Sequence, residues 1–256
     1  MKKKPFILVT NDDGVQAKGI AMLTEIAREL GDVLVVAPDA PRSGQSSAMT
    51  VNLPVMYHEL ERSDAFTQLA CTGLPVDCVK LAFSQQIPHL NRRPDMVLSG
   101  INHGSNAAIN VVYSGTMGAA IEGALYHVPS IGFSLCNHEP DADFSAVKAP
   151  FRAIVEQIWR EGLPQGVCLN VNAPTGAIAG IRTVRQSRGC WRNEFMTSAM
   201  PHGNGVCFWL TGEFVNEEAA AQDTDEAALN QGFISVQPVH ADMTHYPTLQ
   251  NLVFKM

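Results

Sequence analysis

Two adjacent carboxylates lie close to the amino terminus, in the tetrapeptide NDDG at residues 11–14. They directly follow Phe6–Thr10 (FILVT), a short apolar run that is typical of a buried strand. Two ionised carboxylates in contact repel one another unless a cation lies between them. Carboxylate oxygens are ligands that hard divalent ions such as Mg²⁺ and Mn²⁺ prefer. Asp12 and Asp13 therefore indicate a metal site, while an Asx-turn with a solvated acidic pair is the alternative that the same residues allow.

A second polar segment, residues 113–120 (YSGTMGAA), opens a predicted helix. Free N–H groups at a helix N-terminus, with serine and threonine hydroxyls beside them, can bind an anion. The segment contains neither the Walker pattern GxxxxGK[ST] nor the dinucleotide pattern GxGxxG. Ser114 or Thr116 caps the helix whether or not an anion binds there. A divalent cation beside such an anion site is what metal-assisted hydrolysis of a phosphate ester requires.

Polar residues also follow two further predicted strands. Ligands of an open parallel α/β sheet bind beyond the carboxyl ends of its strands, so we expect these residues to share one edge with the aspartates. They are Asp39, Arg42, Ser43 and Gly44 after the strand 33–37, and Asn102, His103 and Asn106 after the strand 95–99.

The elements that must position these loops alternate between strand and helix. An amphipathic helix with Ile20, Leu23 and Leu30 on one face ends before Gly31, and the strand 33–37 (VLVVA) follows it. Continuous apolar strands between helices indicate a parallel sheet covered on both faces, so the predicted fold class is α/β. Further predicted elements are strands at Phe66–Cys71, 95–99, Ser130–Leu135 and 167–171, helices at 75–83, 117–127 and 149–161, and a loop at 100–115.

The character of the chain changes beyond residue 176. Residues 182–192 are basic and polar and residues 206–210 read as a strand, which favours hairpin strands that leave the main body. A helix is predicted at 224–230 with Asp223 as its N-cap, and a last strand at 233–239. The aromatic residues of this region, for which we favour a subunit contact over stacking on a base, are Trp191, Phe195, Phe208 and Trp209.

Composition excludes several classes of protein. The chain has 256 residues, of which 46% are hydrophobic and 17% charged, and this composition excludes intrinsic disorder. A formal charge of −7 gives no general attraction for a phosphate polymer, so we expect no nucleic-acid partner. No apolar run approaches the ~20 residues that span a bilayer. The six cysteines form no CxxC pair, so we expect a soluble, cytoplasmic protein with no membrane partner.

Motifs along most of the chain resemble the SurE (survival protein E) family of metal-dependent 5′-nucleotidases. The region 177–221 matches least, and residues 108–110 lack the acidic side chains that many members carry there. The matching segments are 8–14 (LVTNDDG), 37–50 (APDAPRSGQSSAMT), 72–77 (TGLPVD), 94–106 (PDMVLSGINHGSN), 113–123 (YSGTMGAAIEG), 169–174 (LNVNAP), 224–225 (TD) and 232–238 (GFISVQP).

The resemblance implies hydrolysis of nucleoside monophosphates with one divalent metal ion, Mg²⁺ or Mn²⁺, in each subunit. It implies a Rossmann-like three-layer sandwich with a mostly parallel sheet, and a homodimer or homotetramer. The active site would lie in a core of residues 1–176, while residues 177–256 would pack on that core and contact a partner subunit. The implied metal ligands are Asp12, Asp13, Ser43 and Asn102, of which the two aspartates are also catalytic, and the implied phosphate-binding residues are Asn106, Ser114, Gly115 and Thr116.

Several alternatives stay open at the level of sequence. The activity could extend to other phosphomonoesters or short polyphosphates, extend to 3′ positions, or be replaced by nucleotide sensing without turnover. His103 could act as a general acid, although we favour a pocket-lining role. Arg42 could contact phosphate or be solvated. For the group His240, Asp242 and His245, we favour a surface or subunit contact over a metal cluster.

Overall fold

A nine-stranded sheet forms the centre of the computed structural model, which describes residues 4–199 and 205–254. The strands are β1 Phe6–Thr10, β2 Asp32–Pro38, β3 Tyr57–Arg62, β4 Phe66–Cys71, β5 Met96–His103, β6 Ser130–Leu135, β7 Val167–Ala173, β8 Gly180–Thr183, β9 Gly189–Arg192, β10 Phe195–Ser198, β11 Cys207–Leu210, β12 Glu213–Asn216 and β13 Phe233–His240. The helices are α1 Lys18–Leu30, α2 Pro75–Leu81, α3 Ile87–Leu90, α4 Asn110–Tyr113, α5 Gly115–Leu125, α6 Ser145–Glu161, α7 Asp225–Asn230 and α8 Tyr246–Leu249.

The sheet is mostly parallel, as predicted. Its order is β3-β4-β2-β1-β5-β6-β7-β13-β8, and the run from β4 to β7 is parallel throughout. The outer strand β3 pairs antiparallel with β4, and β13 pairs antiparallel with β7. Every residue of β1 and β6 is buried, which is the burial expected of strands covered on both faces.

Helices cover both faces and produce three layers. Side chains alternate across a strand, so Ile7 packs in one cluster with Leu23 of α1 and Phe151 of α6. Leu8 packs in a second cluster, on the α2 side of the sheet, with Val79. The α/β three-layer prediction is therefore confirmed. No helix in the described ranges is long and apolar enough to cross a membrane.

Strand β5 is longer than predicted and takes up the first part of the expected loop 100–115. It continues from Met96 to His103, with a shift of register between Ser99 and Asn102. Gly100 makes the continuation possible, because its φ is +122° and a Cβ there would lie 2.3 Å from the carbonyl oxygen of Phe133. The polar residues of this stretch masked the strand in the sequence.

Other boundaries differ in ways that local patterns do not reveal. The helix predicted at 75–83 continues beyond α2 through a π-helical turn, Ala82–Gln86, into α3. Helix α5 starts at Gly115 and α6 at Ser145, both earlier than predicted. Strand β3 was not predicted, because all of its residues are exposed and it shows no apolar face.

The C-terminal region contributes both to the sheet and to a ribbon. Strands β13 and β8 pair in parallel within the main sheet. Strand β9 pairs antiparallel with β12, and β10 pairs antiparallel with β11. Along the chain, the second pair lies between the two strands of the first. The prediction that Asp223 caps the helix at 224–230 is wrong. Thr224 is the cap, because its Oγ1 accepts from the N–H of Ala227 at 3.2 Å, while Asp223 binds Arg185 at 2.8 Å.

Candidate functional site

Asp12 is a buried carboxylate at the carboxyl end of β1. The residue is only 3% exposed, and Thr116 Oγ1 donates to its Oδ1 at 2.5 Å. Burial, together with the neighbouring Asp13, raises the pKa of Asp12 to about 6, although the bond from Thr116 acts in the opposite direction. The surroundings of Asp12 therefore disfavour its charged form.

Asp13 is less buried than Asp12 and lies beside the end of β5. The main-chain N–H of His103 donates to Asp13 Oδ2 at 3.1 Å. Burial raises the pKa of Asp13, and His103 partly offsets that effect. Among the described residues, neither aspartate forms an ion pair with a lysine or arginine that would offset these effects.

The loop after β2 closes against the two aspartates. Gly14 turns the chain with a φ of +96°, and a Cβ there would lie 3.2 Å from the backbone of Ala40. The N–H of Arg42 donates to the carbonyl oxygen of Asp12 at 2.7 Å. Ser43 is the next residue and is exposed. The guanidinium of Arg42 binds Asp39 at 3.2 Å and the carbonyl oxygen of Thr72 at 3.4 Å, so it anchors the loop.

The N-terminus of α5 lies directly against Asp12. Ser114 caps the helix by accepting from the N–H of Met117 at 3.0 Å. A Cβ at Gly115 would lie 2.9 Å from the Cβ of Asp12, so only glycine permits this approach. Thr116 is fully buried. The positive end of the helix macrodipole therefore lies beside the acidic pair. A helix N-terminus in this position can bind an anion next to a cation held by the two aspartates.

Asn102 and His103 end β5 next to Asp13. The side-chain nitrogen of Asn102 donates to the carbonyl oxygen of Gly104 at 2.8 Å, which fixes the plane of the amide. The ring of His103 lies edge-on to Phe144, with centroids 5.0 Å apart, and its Nδ1 is 3.1 Å from the carbonyl oxygen of Glu139. These contacts fix the imidazole ring beside Phe144 and Glu139.

Asn106 belongs to a buried amide network that the sequence reasoning missed. Its N–H donates to Asn172 Oδ1 and its side-chain nitrogen to Ser134 Oγ, both at 2.8 Å. Asn170 donates to the carbonyl oxygen of Asn106 at 2.8 Å and accepts from Asn172 at 2.9 Å. The signal was present in the segment LNVNAP, because two asparagines in an otherwise apolar strand must find partners in the interior.

The donor set fits a hard divalent cation. Among the described residues, no group of three or more His, Cys, Asp or Glu is arranged to hold a metal ion. Only two of the four predicted ligands are of those types, because Ser43 and Asn102 offer a hydroxyl and an amide oxygen. The side-chain oxygen of Asn11, at the same turn, is buried without a hydrogen-bond partner. Oxygen-only ligands around two uncompensated carboxylates suit Mg²⁺ or Mn²⁺.

Comparison with known proteins places this arrangement in a family. The family model described as Survival protein SurE matches residues 7–193.

The chain belongs to the SurE family.

The protein named 5′-nucleotidase SurE from Phocaeicola vulgatus is 50% identical over 98% of this chain and 96% of its own length. Its namesake from Bacteroides thetaiotaomicron is 49% identical over 98% of this chain and 95% of its own. The crystal structure of the SurE protein from Aquifex aeolicus superposes with a TM-score of 0.81, at 33% identity, over 97% of this chain and 98% of that one.

In this SurE-family chain, Trp191 contacts a distant segment, whereas the group His240, Asp242 and His245 makes local contacts. The indole nitrogen of Trp191 donates to Asn110 Oδ1 at 2.8 Å, so Trp191 contacts the start of α4. By contrast, Asp242 accepts from the hydroxyl of Tyr246, and His245 Nδ1 lies 2.6 Å from Thr248 Oγ1. The exposed group that includes His240 therefore has partners near its own position in the chain.

Proposed function

We propose that this protein is a metal-dependent 5′-nucleotidase that releases phosphate from nucleoside monophosphates. The observation that carries the proposal is the contact between Asp12 and the N-terminus of α5, which sets an uncompensated carboxylate pair beside an anion site. The names of the curated relatives support the same reaction.

The proposed metal ligands are Asp12, Asp13, Ser43 and Asn102. A divalent cation held by them would activate water and offset the negative charge that develops on the phosphoryl oxygens. One ion in each subunit satisfies the two carboxylates. Mg²⁺ and Mn²⁺ are the candidates because every proposed ligand is an oxygen.

The proposed phosphate-binding residues are Asn106, Ser114, Gly115 and Thr116. The main-chain N–H groups at the start of α5 bind the phosphoryl oxygens and orient the ester. Asn106 commits one of its side-chain protons to Ser134, so its second proton is available to the anion. Thr116 keeps Asp12 in place by donating its hydroxyl proton.

In the proposed reaction, a water oxygen attacks phosphorus in line with the ester bond. The bond between phosphorus and the nucleoside oxygen breaks, its electron pair stays on that oxygen, and the oxygen takes up the proton that the attacking water releases. Asp13 is the carboxylate that solvent reaches, because Asp12 is almost completely buried. We therefore assign the orientation of the water to Asp13 and the fixed charge of the site to Asp12.

Phosphate release from a panel of nucleoside monophosphates tests the proposal. The enzyme is assayed after treatment with chelator and again with Mn²⁺ or Mg²⁺ added back, beside Asp13→Asn as the variant without the second carboxylate. Metal-dependent release that Asp13→Asn abolishes is expected. Faster release from short polyphosphate indicates a broader phosphatase, 3′-nucleotides in the panel report positional selectivity, and tight binding without release indicates a sensor.

We further propose that the protein acts in the cytoplasm as a homodimer or homotetramer, with residues 177–256 at the contact and the site in residues 1–176. All six cysteines lie in the described ranges and none is paired, which supports a reducing compartment. The aromatic side chains Phe195, Phe208 and Trp209 are more than half exposed, which supports a subunit contact. Light scattering coupled to size-exclusion chromatography measures the subunit number.

A further inference from the structure

The short loop that carries Asn106 is held by two buried side chains from distant parts of the chain. The N–H of Asn106 donates to Asn172 Oδ1 at 2.8 Å, from β7. Two residues later, the N–H of Ala108 donates to Asp225 Oδ2 at 2.8 Å, from α7. The loop therefore has one attachment in the core of the sheet and a second in the C-terminal region.

Asp225 is a fully buried carboxylate whose partners are main-chain groups. Besides Ala108, it accepts from the N–H of Ser187 at 2.9 Å and of Glu226 at 2.8 Å, both through Oδ1. Burial of a charged group is unfavourable unless hydrogen bonds compensate it, and N–H donors supply that compensation here. One side chain thus joins the loop, the segment before β9 and the start of α7.

The backbone between the two attachments follows a path that the loop does not favour by itself. Ala108 has a φ of +52°, in the left-handed region that an alanine rarely adopts. The N–H of Ala107, the residue between them, bonds locally to Ser105 Oγ at 3.1 Å. External bonds at Asn106 and Ala108 therefore hold a conformation with an intrinsic cost.

We propose that Asp225 and Asn172 are positioning residues of the phosphate-binding loop. By fixing the main chain on both sides of Ala107, they hold the side chain of Asn106 where it meets a phosphoryl oxygen. The C-terminal helix α7 thus takes part in substrate binding without touching the substrate. This inference rests on the proposed function, because it assigns phosphate binding to Asn106.

Binding of inorganic phosphate tests the inference without any need for turnover. Calorimetry measures the affinity of the full-length protein for Mn²⁺ alone and for phosphate in the presence of Mn²⁺. Asp225→Asn replaces one acceptor oxygen by an N–H₂ group that faces main-chain donors, and Asn172→Ala removes the acceptor for Asn106. Each variant is expected to bind phosphate about tenfold more weakly, while its affinity for Mn²⁺ is unchanged.

A matched control and a double variant separate positioning from general loosening. Asp95→Asn alters a carboxylate that accepts from the N–H of Phe6 at 2.7 Å, at the opposite edge of the sheet, and should bind phosphate as the wild type does. Because Asp225 and Asn172 act on one loop, the combined variant should lose less affinity than the sum of the two single losses. Phosphate affinity within about twofold of the wild type in folded Asp225→Asn overturns the inference, as does equal loss of Mn²⁺ and phosphate binding.

Two further results remain decisive if a variant fails to fold or the enzyme is inactive. In the wild type, amide hydrogen exchange at Asn106 and Ala108 should be as slow as in the buried strands, and exchange typical of an exposed loop overturns the inference. A wild type that binds phosphate but releases none from nucleotides refutes the hydrolase and leaves the positioning role supported by the binding data. A wild type that binds no phosphate refutes both.

Discussion

Replacing Asp12 by asparagine should stabilise the metal-free protein at alkaline pH while it abolishes hydrolysis. In the folded state the pKa of Asp12 is raised from 3.8 to about 6. The stability contributed by its protonation is therefore complete below about pH 4 and is lost as the pH rises through about 6. A difference of about two pKa units corresponds to about 3 kcal/mol of unfolding free energy.

Asparagine carries no charge, so it avoids that loss at pH 8 and still offers an oxygen to the hydroxyl of Thr116. Urea unfolding in the presence of chelator should show Asp12→Asn more stable than the wild type by up to about 3 kcal/mol at pH 8, and the difference should vanish near pH 4. In thermal unfolding, the gain corresponds to roughly 6–12 °C for a chain of this size. Phosphate release should fall by at least about 100-fold.

Asp143→Asn is the matched control, because Asp143 is exposed and hydrogen bonds from Ser145 lower its pKa. That variant should show no gain in stability at pH 8. Addition of Mn²⁺ should raise the unfolding free energy of the wild type and so reduce the difference in stability between Asp12→Asn and the wild type. The reason is that only the folded wild type offers both carboxylates to the ion. If metal-free Asp12→Asn is less stable than the wild type at pH 8, or if it retains turnover, the description of Asp12 as a buried, uncompensated ligand is refuted.

Substitutions at three further positions test the contacts around the site and in the core. Gly115→Ala places a Cβ 2.9 Å from the Cβ of Asp12, so hydrolysis should fall at least about tenfold with an unchanged circular dichroism spectrum, and an unaffected kcat/KM would contradict the close approach. Thr116→Val removes the bond that lowers the pKa of Asp12, so the acidic limb of the pH–rate profile should move to higher pH, whereas Thr116→Ser should restore it. Phe151→Ala opens a cavity beside Phe133, whose ring centroid is 4.5 Å away, and should reduce the unfolding free energy measured in urea by about 3–5 kcal/mol, with unchanged activity per folded molecule.

Local patterns in the sequence identify many of the elements that carry the site. Phe6–Thr10, Phe66–Cys71 and Ser130–Leu135 were predicted with the boundaries that the structure shows, because strands covered on both faces are rich in apolar residues. The same patterns failed where the local signal contradicts the tertiary environment. Strand β5 continues through polar residues, and β3 has no apolar face.

The two aspartates and the glycine-bearing start of α5 were also recognisable from residue types in the sequence, whereas Ser43 and Asn102 were predicted as ligands from the resemblance to the SurE family. What holds them together was not recognisable. Thr116 bonds to Asp12 across 104 positions, Asn172 to Asn106 across 66 and Asp225 to Ala108 across 117. Such contacts depend on the order of strands in the sheet and on the return of the C-terminal segment to its edge.

The sequence by itself therefore determined the fold class, the apolar strands and the chemical types of the site residues, since each follows from short-range periodicity or side-chain chemistry. Only the tertiary structure decided the raised pKa of Asp12, the need for glycine at 115 and the attachment of the Asn106 loop. These properties arise from burial and from contacts between segments far apart in the chain, and no local pattern specifies either.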